Sequence, residues 1–342
     1  MTVEGAPFTR LAAVAAHLPE TTLTTAELED RLAERNPGLD VPRGLILKAS
    51  GVRRRHVAAP EDGPSDLAAA ACRKLLDGAG VAADDVDLLI YAGVSADVVE
   101  PATAHLVAAR LGAQCPVFDV RNACNGVLTA IELADALITG GRYRRVLVCC
   151  GELPSAITPW RVGGVEEFYA VAAGYTVSDV GAALLLEAGS APGVLAHRSA
   201  AHSAAWEGAV VRVLDASSDP ATPAPHYGPL LVDARALLRG FESIDPALFR
   251  KPLTDLGLTW DDCAAVCVHQ ASLPMLWKFC DHAGIPPGKV VVTIVQHGNM
   301  VAATLPVQLA IAVETGRVRR GDLVALVGLA SGVSAGIVLA RW

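Results

Sequence analysis

Two kinds of apolar pattern alternate along the chain. Short runs of consecutive apolar, often β-branched residues read as buried strands, and longer stretches with an apolar residue every three or four positions read as helices. Leu11 to Leu18 is the first apolar run and stops at Pro19. Thr24 or Thr25 caps a helix through Glu27 to Glu34, and Pro37 and Pro42 break the chain before Leu45 to Leu47. Helical spacing returns from Asp66 to Gly80 (Leu67, Ala70, Leu75, Leu76), a strand follows over Val86 to Ala92, and another helix over Ala102 to Leu111. A run ending Phe118-Asp119-Val120 leads to a helix that starts at Gly126, continues through Leu128, Ile131, Leu133, Ala134 and Leu137, and closes near Gly140-Gly141. Val146 to Cys150 is one more buried strand. This rhythm predicts an α/β protein of βαβ units with a largely parallel sheet.

The plan repeats in the second half of the chain. Asp84-Asp85 before the strand Leu88 to Tyr91 is matched by Asp261-Asp262 before Ala265 to Val268. Val146-Leu147-Val148 leading to Gly151 is matched by Leu323-Val324-Ala325 leading to Gly328, and both offsets (261 − 84 and 323 − 146) are 177 residues. The coincidence predicts a duplicated half rather than a short tandem array. The expected division is residues 1–188 and 189–342. Ile157 to Tyr175, with Trp160, Phe168 and Tyr169, and Asp219 to Pro229 interrupt the plan and read as covering loops.

Composition narrows the field. With 342 residues, 52% hydrophobic and only 19% charged, the chain buries a large core and is not disordered. A net charge of -8 with dispersed basic residues argues against a nucleic-acid surface. Neither a signal-like N-terminus nor an apolar run long enough to span a bilayer is visible, so a cytoplasmic protein without a membrane span is expected. Eight scattered cysteines, several inside strand-like runs, fit buried thiols in a reducing compartment better than disulfides. Cys263 and Cys267 lack a second ligand pair at zinc spacing, so no metal is expected.

Three polar residues then stand out. Cys124, in Arg121-Asn122-Ala123-Cys124-Asn125-Gly126-Val127, sits at a strand-to-helix turn. There, unpaired N–H groups and the helix macrodipole favour a thiolate and can cradle an oxyanion. A buried structural cysteine is the alternative for this residue alone. His269 follows the strand ending at Val268, and Asn299 lies in Gln296-His297-Gly298-Asn299-Met300, close to the duplicated counterpart of Cys124. Each taken singly has a packing or turn explanation. Together they match acyl transfer to a thiol followed by stabilisation of a carbonyl oxyanion by neutral donors. Gly51-Val52-Arg53-Arg54-Arg55-His56 is either a solvated basic turn or a contact to a phosphorylated carrier through Arg53 and Arg55.

The runs Phe118-Asp119-Val120…Ala123-Cys124-Asn125-Gly126, His269-Gln270-Ala271 and His297-Gly298-Asn299 resemble the active-site motifs of ketoacyl synthase III-type enzymes of the thiolase superfamily. The similarity extends from about Leu11 to Trp342, including Gly51-Val52-Arg53 and Ala330-Ser331-Gly332. It implies a five-layered αβαβα thiolase fold and a homodimer. It also implies Cys124 as the acylated nucleophile, His269 with Asn299 as the oxyanion hole for condensation, and backbone N–H groups of Cys124 and Gly332 holding the thioester oxygen. Val99-Glu100-Pro101-Ala102-Thr103-Ala104 is similar to the segment with which olefin-biosynthesis condensing enzymes (OleA type) send a glutamate into the partner subunit's site. A malonyl thioester makes its carbanion by losing carbon dioxide, whereas a plain acyl thioester must lose an α-proton and needs a base such as Glu100. The tryptophan and arginine with which initiating synthases grip the coenzyme A nucleotide are replaced by Leu45 and Ala49.

The expected activity is therefore a non-decarboxylative Claisen condensation of two acyl thioesters, giving a β-keto acid or thioester. The alternatives are a decarboxylative synthase using a malonyl thioester, or an acyltransferase to an alcohol or amine. No cofactor is expected beyond the substrates, which are thioesters of coenzyme A or an acyl carrier protein.

Overall fold

The computed structural model of the protein describes residues 7–214 and 226–342. Most of the Asp219 to Pro229 stretch lies outside them. In chain order the strands are β1 (Phe8–His17), β2 (Thr22–Thr24), β3 (Arg54–His56), β4 (Leu88–Tyr91), β5 (Val117–Asp119), β6 (Arg145–Glu152) and β7 (Val180–Gly189), then β8 (Val194–Ala201), β9 (Ala209–Leu214), β10 (His226–Val232), β11 (Cys263–Val268), β12 (Leu323–Ala330) and β13 (Ser334–Arg341).

One sheet has the order β1-β7-β6-β4-β5 and a second the order β11-β12-β13-β8. β4 is parallel to β5 and to β6, while β7 and β1 are antiparallel. The sheet is thus mixed, which corrects the expectation of a largely parallel one. Parallel pairing survives where a helix crosses the sheet face, Thr103–Leu111 between β4 and β5 and Gly126–Thr139 between β5 and β6. After β6 the chain turns back at the same end of the sheet, so β7 runs the opposite way. The second sheet repeats this logic, with β11 parallel to β12 and then β13 and β8 antiparallel.

Alternation along the strands explains the layers. In β7, Val180, Ala182, Leu184 and Leu186 face one core while Ala183 and Leu185 face another. In β12, Val324 and Leu326 join the first of these cores and Ala325 and Val327 enter a third. The shared core lies between the sheets and holds the helices Gly126–Thr139 and Thr304–Glu314, through Ile131, Ala134, Ile138, Leu305, Leu309 and Ala312. Helices Pro64–Ala79 and Thr103–Leu111 cover the outer face of the first sheet, and Ala247–Asp255 and Leu273–Ala283 that of the second. The result is helix, sheet, helix, sheet, helix, the αβαβα arrangement. Helices buried on both sides need apolar residues all round, which is why Thr304–Glu314 reads as almost unbroken hydrophobic sequence. Pro306 is tolerated there because N–H groups in a first turn have no intrahelical partner.

Ile157 to Tyr175 is more ordered than a covering loop. It forms short helical segments, including Val165–Val171, and buries Phe168 and Tyr175 against Leu28 and Leu32, with the two rings stacked at 5.6 Å. Aromatic burial of this size is enough to fix a short segment to the body.

Gly126, the first residue of its helix, lies against the end of β4, where a Cβ would stand 2.2 Å from the Ala92 carbonyl oxygen. Gly126→Ala must push the helix away from the sheet. It is expected to lower the free energy of urea unfolding by about 1–3 kcal/mol and to slow acylation of Cys124 at the same time, measured by intact-protein mass.

Candidate active site

Because β4, β5 and β6 run the same way, their carboxyl ends share one edge, where open α/β sheets bind ligands. Gly93 and Val94 follow β4, the Cys124 turn follows β5, and Glu152 closes β6. In the second sheet His269 follows β11, and Ser331 and Gly332 follow β12. Ala123, Ser331 and Gly332 line a common open cavity of about 550 Å³, together with Trp206, Val210 and Val211. Gly332, at φ 124, occupies a backbone conformation that side-chain-bearing residues rarely adopt.

The Cys124 turn is tight. Asn125 N–H donates to the Asn122 carbonyl at 2.9 Å and Gly126 N–H to that of Ala123 at 3.1 Å, with Ala123 at φ 46. At the matching place in the second half, before the other central helix, Val301 stands at φ 50. A left-handed alanine and a left-handed valine each cost roughly 1–2 kcal/mol, and the packed layers around both turns hold them there. Strain at two equivalent positions marks the edge where chemistry is expected.

Burial and a neighbouring carboxylate set the state of the thiol. Desolvation, with a contribution from Glu152, pushes the Cys124 pKa up to about 12. Desolvation of the half-buried thiol thus works against the thiolate that the helix start favours, and the Asn125 and Gly126 N–H groups are already spent inside the turn. Glu152 itself is fully buried, and desolvation raises its carboxyl to about 7 against hydrogen bonds from Val94 and Ser95. Sequence reasoning missed Glu152. The one signal was a carboxylate at the end of an otherwise apolar strand.

His269 is buried and its pKa is pushed down to about 4 by burial, so the imidazole is neutral at ordinary pH. Its backbone N–H donates to the Val327 carbonyl at 2.9 Å, and its Nδ1 has no hydrogen-bond partner among the described residues. Two glutamines support this strand end. Gln270 Oε1 accepts from the N–H groups of Thr293 and Ile294, and its Nε2 donates to the Val291 carbonyl. Gln308 Nε2 donates to the Val268 carbonyl at 2.9 Å. Gln308 was also missed, although a single amide in an apolar helix is a readable sign of a buried polar contact.

Asn299 is oriented by its own turn. Its Oδ1 accepts the Val301 N–H at 3.0 Å, its backbone N–H donates to Thr176, and its carbonyl accepts from Ser178. With the amide oxygen occupied, Nδ2 is left to donate. Neutral His269 and the Nδ2 of Asn299 are thus both groups able to donate a hydrogen bond without being strong acids.

Arg53 and Arg55 separate. Arg53 is exposed, but Arg55 is 4% exposed and donates to the Leu23 carbonyl and the Thr25 hydroxyl. A phosphate contact by Arg55 is corrected, because β3 turns its guanidinium into the body, where it holds β2 and the following helix. Glu100 is exposed on the loop between β4 and the helix Thr103–Leu111, next to Val99, which is 81% exposed.

The chain is similar to known proteins along nearly its whole length. The family sequence profiles for 3-oxoacyl-[acyl-carrier-protein (ACP)] synthase III and for its C-terminal part match residues 118–203 and 253–342. The chain is 33% identical to the beta-ketoacyl-[acyl-carrier-protein] synthase III of Sphingopyxis alaskensis, over 95% of this chain and 96% of that protein. Among solved structures it is similar to a cysteine-to-serine variant of Xanthomonas campestris OleA with bound lauric acid and lauroyl-CoA. The identity is 25%, the TM-score 0.84, and the coverage 98% of this chain and 100% of that one. The synthase III (FabH) of Thermus thermophilus is 27% identical with a TM-score of 0.81, covering 97% and 99%.

A thiol at about 12 is almost entirely protonated below pH 10, so alkylation of Cys124 by iodoacetamide should be slower at pH 7.5 than that of a free cysteine. Its rate should keep rising about tenfold per pH unit up to pH 10. Peptide mass spectrometry follows the Cys124 fragment, and a plateau below pH 8 would contradict the neutral resting state.

Proposed function

Because the chain belongs to the 3-oxoacyl-[acyl-carrier-protein] synthase III family of the thiolase superfamily, and is a condensing acyltransferase of that kind, we propose that it joins two acyl thioesters without decarboxylation. The observation that carries this reading is the placement of Glu100. It stands exposed beside Val98 and Val99 on a loop whose ends are tied down. The Asp97 carboxylate accepts from the Ser65 N–H and hydroxyl, and the Asp119 carboxylate accepts from the N–H groups of Thr103 and Ala104 at 2.8 Å. A carboxylate on a fastened, outward loop serves no core of its own chain, and it suits a site on a second copy.

The chemistry proceeds in two steps. Cys124 sulfur attacks the first thioester carbonyl, and the backbone N–H groups of Cys124 and Gly332 hold the oxyanion. The carrier leaves as its thiol, taking up the proton that Cys124 gives up. In the second step Glu100 of a second copy removes an α-proton from the second acyl thioester, while His269 and Asn299 hold the enolate oxygen. The enolate carbon attacks the acyl-Cys124 carbonyl, the Cys124 sulfur departs and regains a proton, the one that Glu100 took and now gives back, and a β-keto thioester is released. Its hydrolysis gives the β-keto acid. The thioester carrier is coenzyme A or an acyl carrier protein, and Arg53 is an exposed cation able to meet a phosphate of either.

A malonyl-dependent synthase is the second reading, favoured by the higher identity to the Sphingopyxis protein. Incubation with a medium-chain acyl-coenzyme A alone, and with a malonyl thioester, separates the two. The expected result is β-keto acid, or the ketone formed from it, with acyl-coenzyme A alone. Glu100→Ala should reduce this product at least about 100-fold, with acyl loading of Cys124 retained, and Cys124→Ala should abolish both. Product that requires malonyl thioester and survives Glu100→Ala would establish the second reading instead.

A further inference from the structure

Glu152 touches no reacting group in the steps above, yet it is a fully buried carboxylate beside them. It is 0% exposed, and no cation pairs with it among the described residues. A carboxylate in that position is expensive to hold. Its Oε1 accepts the Val94 N–H at 2.9 Å, and its Oε2 accepts both the Ser95 N–H and the Ser95 hydroxyl at 3.1 Å. The Ser95 hydroxyl in turn accepts the Leu153 N–H, and the Ser95 carbonyl lies 2.7 Å from the Tyr91 hydroxyl. Ser95 is thus held at its N–H, side chain and carbonyl, five residues before Glu100. On the other side, β6 packs against the turn Val301–Ala303, with Ala302 beside the same carboxylate. Ala302 follows Val301, whose N–H fixes the Asn299 amide.

Resting on the non-decarboxylative reading, we infer that Glu152 is a positioning residue for the condensation step, fixing with one buried carboxylate both the root of the Glu100 loop and the turn that orients Asn299. The two groups that make the enolate, the base and one of its oxyanion donors, are registered against a common point. Loading of Cys124 uses neither. A carboxylate is required because every group converging on it is a donor. In Glu152→Gln the amide NH2 must face N–H or O–H groups, so at least one contact becomes donor against donor.

The test separates the two half-reactions. In Glu152→Gln, acyl loading of Cys124, followed by intact-protein mass, should not fall more than about threefold below wild type, since the positioning contacts act only in the later step and losing the neighbouring carboxylate eases ionisation of the thiol. Formation of β-keto product from acyl-coenzyme A alone should fall about 100-fold, as expected for displacement of reacting groups by an ångström or less. Exchange of the acyl α-hydrogens with deuterium oxide should fall with it. Ser95→Ala removes only one of the donors, so it tests the same role even if Glu152→Gln fails to fold, and it should lose about tenfold in the same step. Equal losses in loading and condensation, or condensation unimpaired in both variants while wild type is active, would overturn the role of Glu152 alone. Wild type that makes product only with malonyl thioester would overturn the non-decarboxylative reading and this role with it.

Discussion

The structure depends on burying two helices on both sides. Gly126–Thr139 and Thr304–Glu314 lie between the sheets, and apolar residues from β4, β6, β7 and β12 close on them within one core. A helix so enclosed has no freedom to slide, because protein interiors are packed as densely as organic crystals. Its first turn is consequently fixed against the strand ends. Cys124 and Asn299 gain their positions from that enclosure rather than from contacts of their own, and Gly126, pressed on Ala92, shows how little room is left.

The same burial governs the electrostatics. Cys124 and His269 are both driven toward their neutral forms by loss of water, the thiol upward and the imidazole downward, whereas Glu152 is raised only to about 7 against the donors that hold its carboxylate. A thiol and an imidazole that are neutral at rest suit chemistry in which charge appears only transiently, on a thioester oxygen or an enolate. Donors aimed at that charge then act in a low-dielectric setting, where they count for more than in water. Glutamines 270 and 308 keep the strand end and the turn rigid without adding charge that would compete.

Much of this was readable from the residues. The strand and helix periods, the 177-residue repeat, and the polar residues at strand ends all follow from local pattern, because side-chain periodicity reports which face is buried. Thr24 as a helix cap and Gly126 as a helix start were likewise local matters. The basic run Arg53 to Arg55 shows where local reading stops. Three adjacent arginines look alike in sequence, yet pairing of β3 with β2 leaves Arg54 exposed and turns Arg55 inward, while Arg53 stays exposed just before the strand.

What the sequence determined by itself was the class of chemistry and the repeated plan, because these rest on residue types and spacing. What only the tertiary structure decided was strand direction, the protonation of Cys124 and the presence of Glu152 among the polar groups. Strand direction depends on which end of the sheet a connection leaves from. Protonation and the Glu152 contacts depend on how completely water is removed by layers that are distant in the chain, and no local pattern records that.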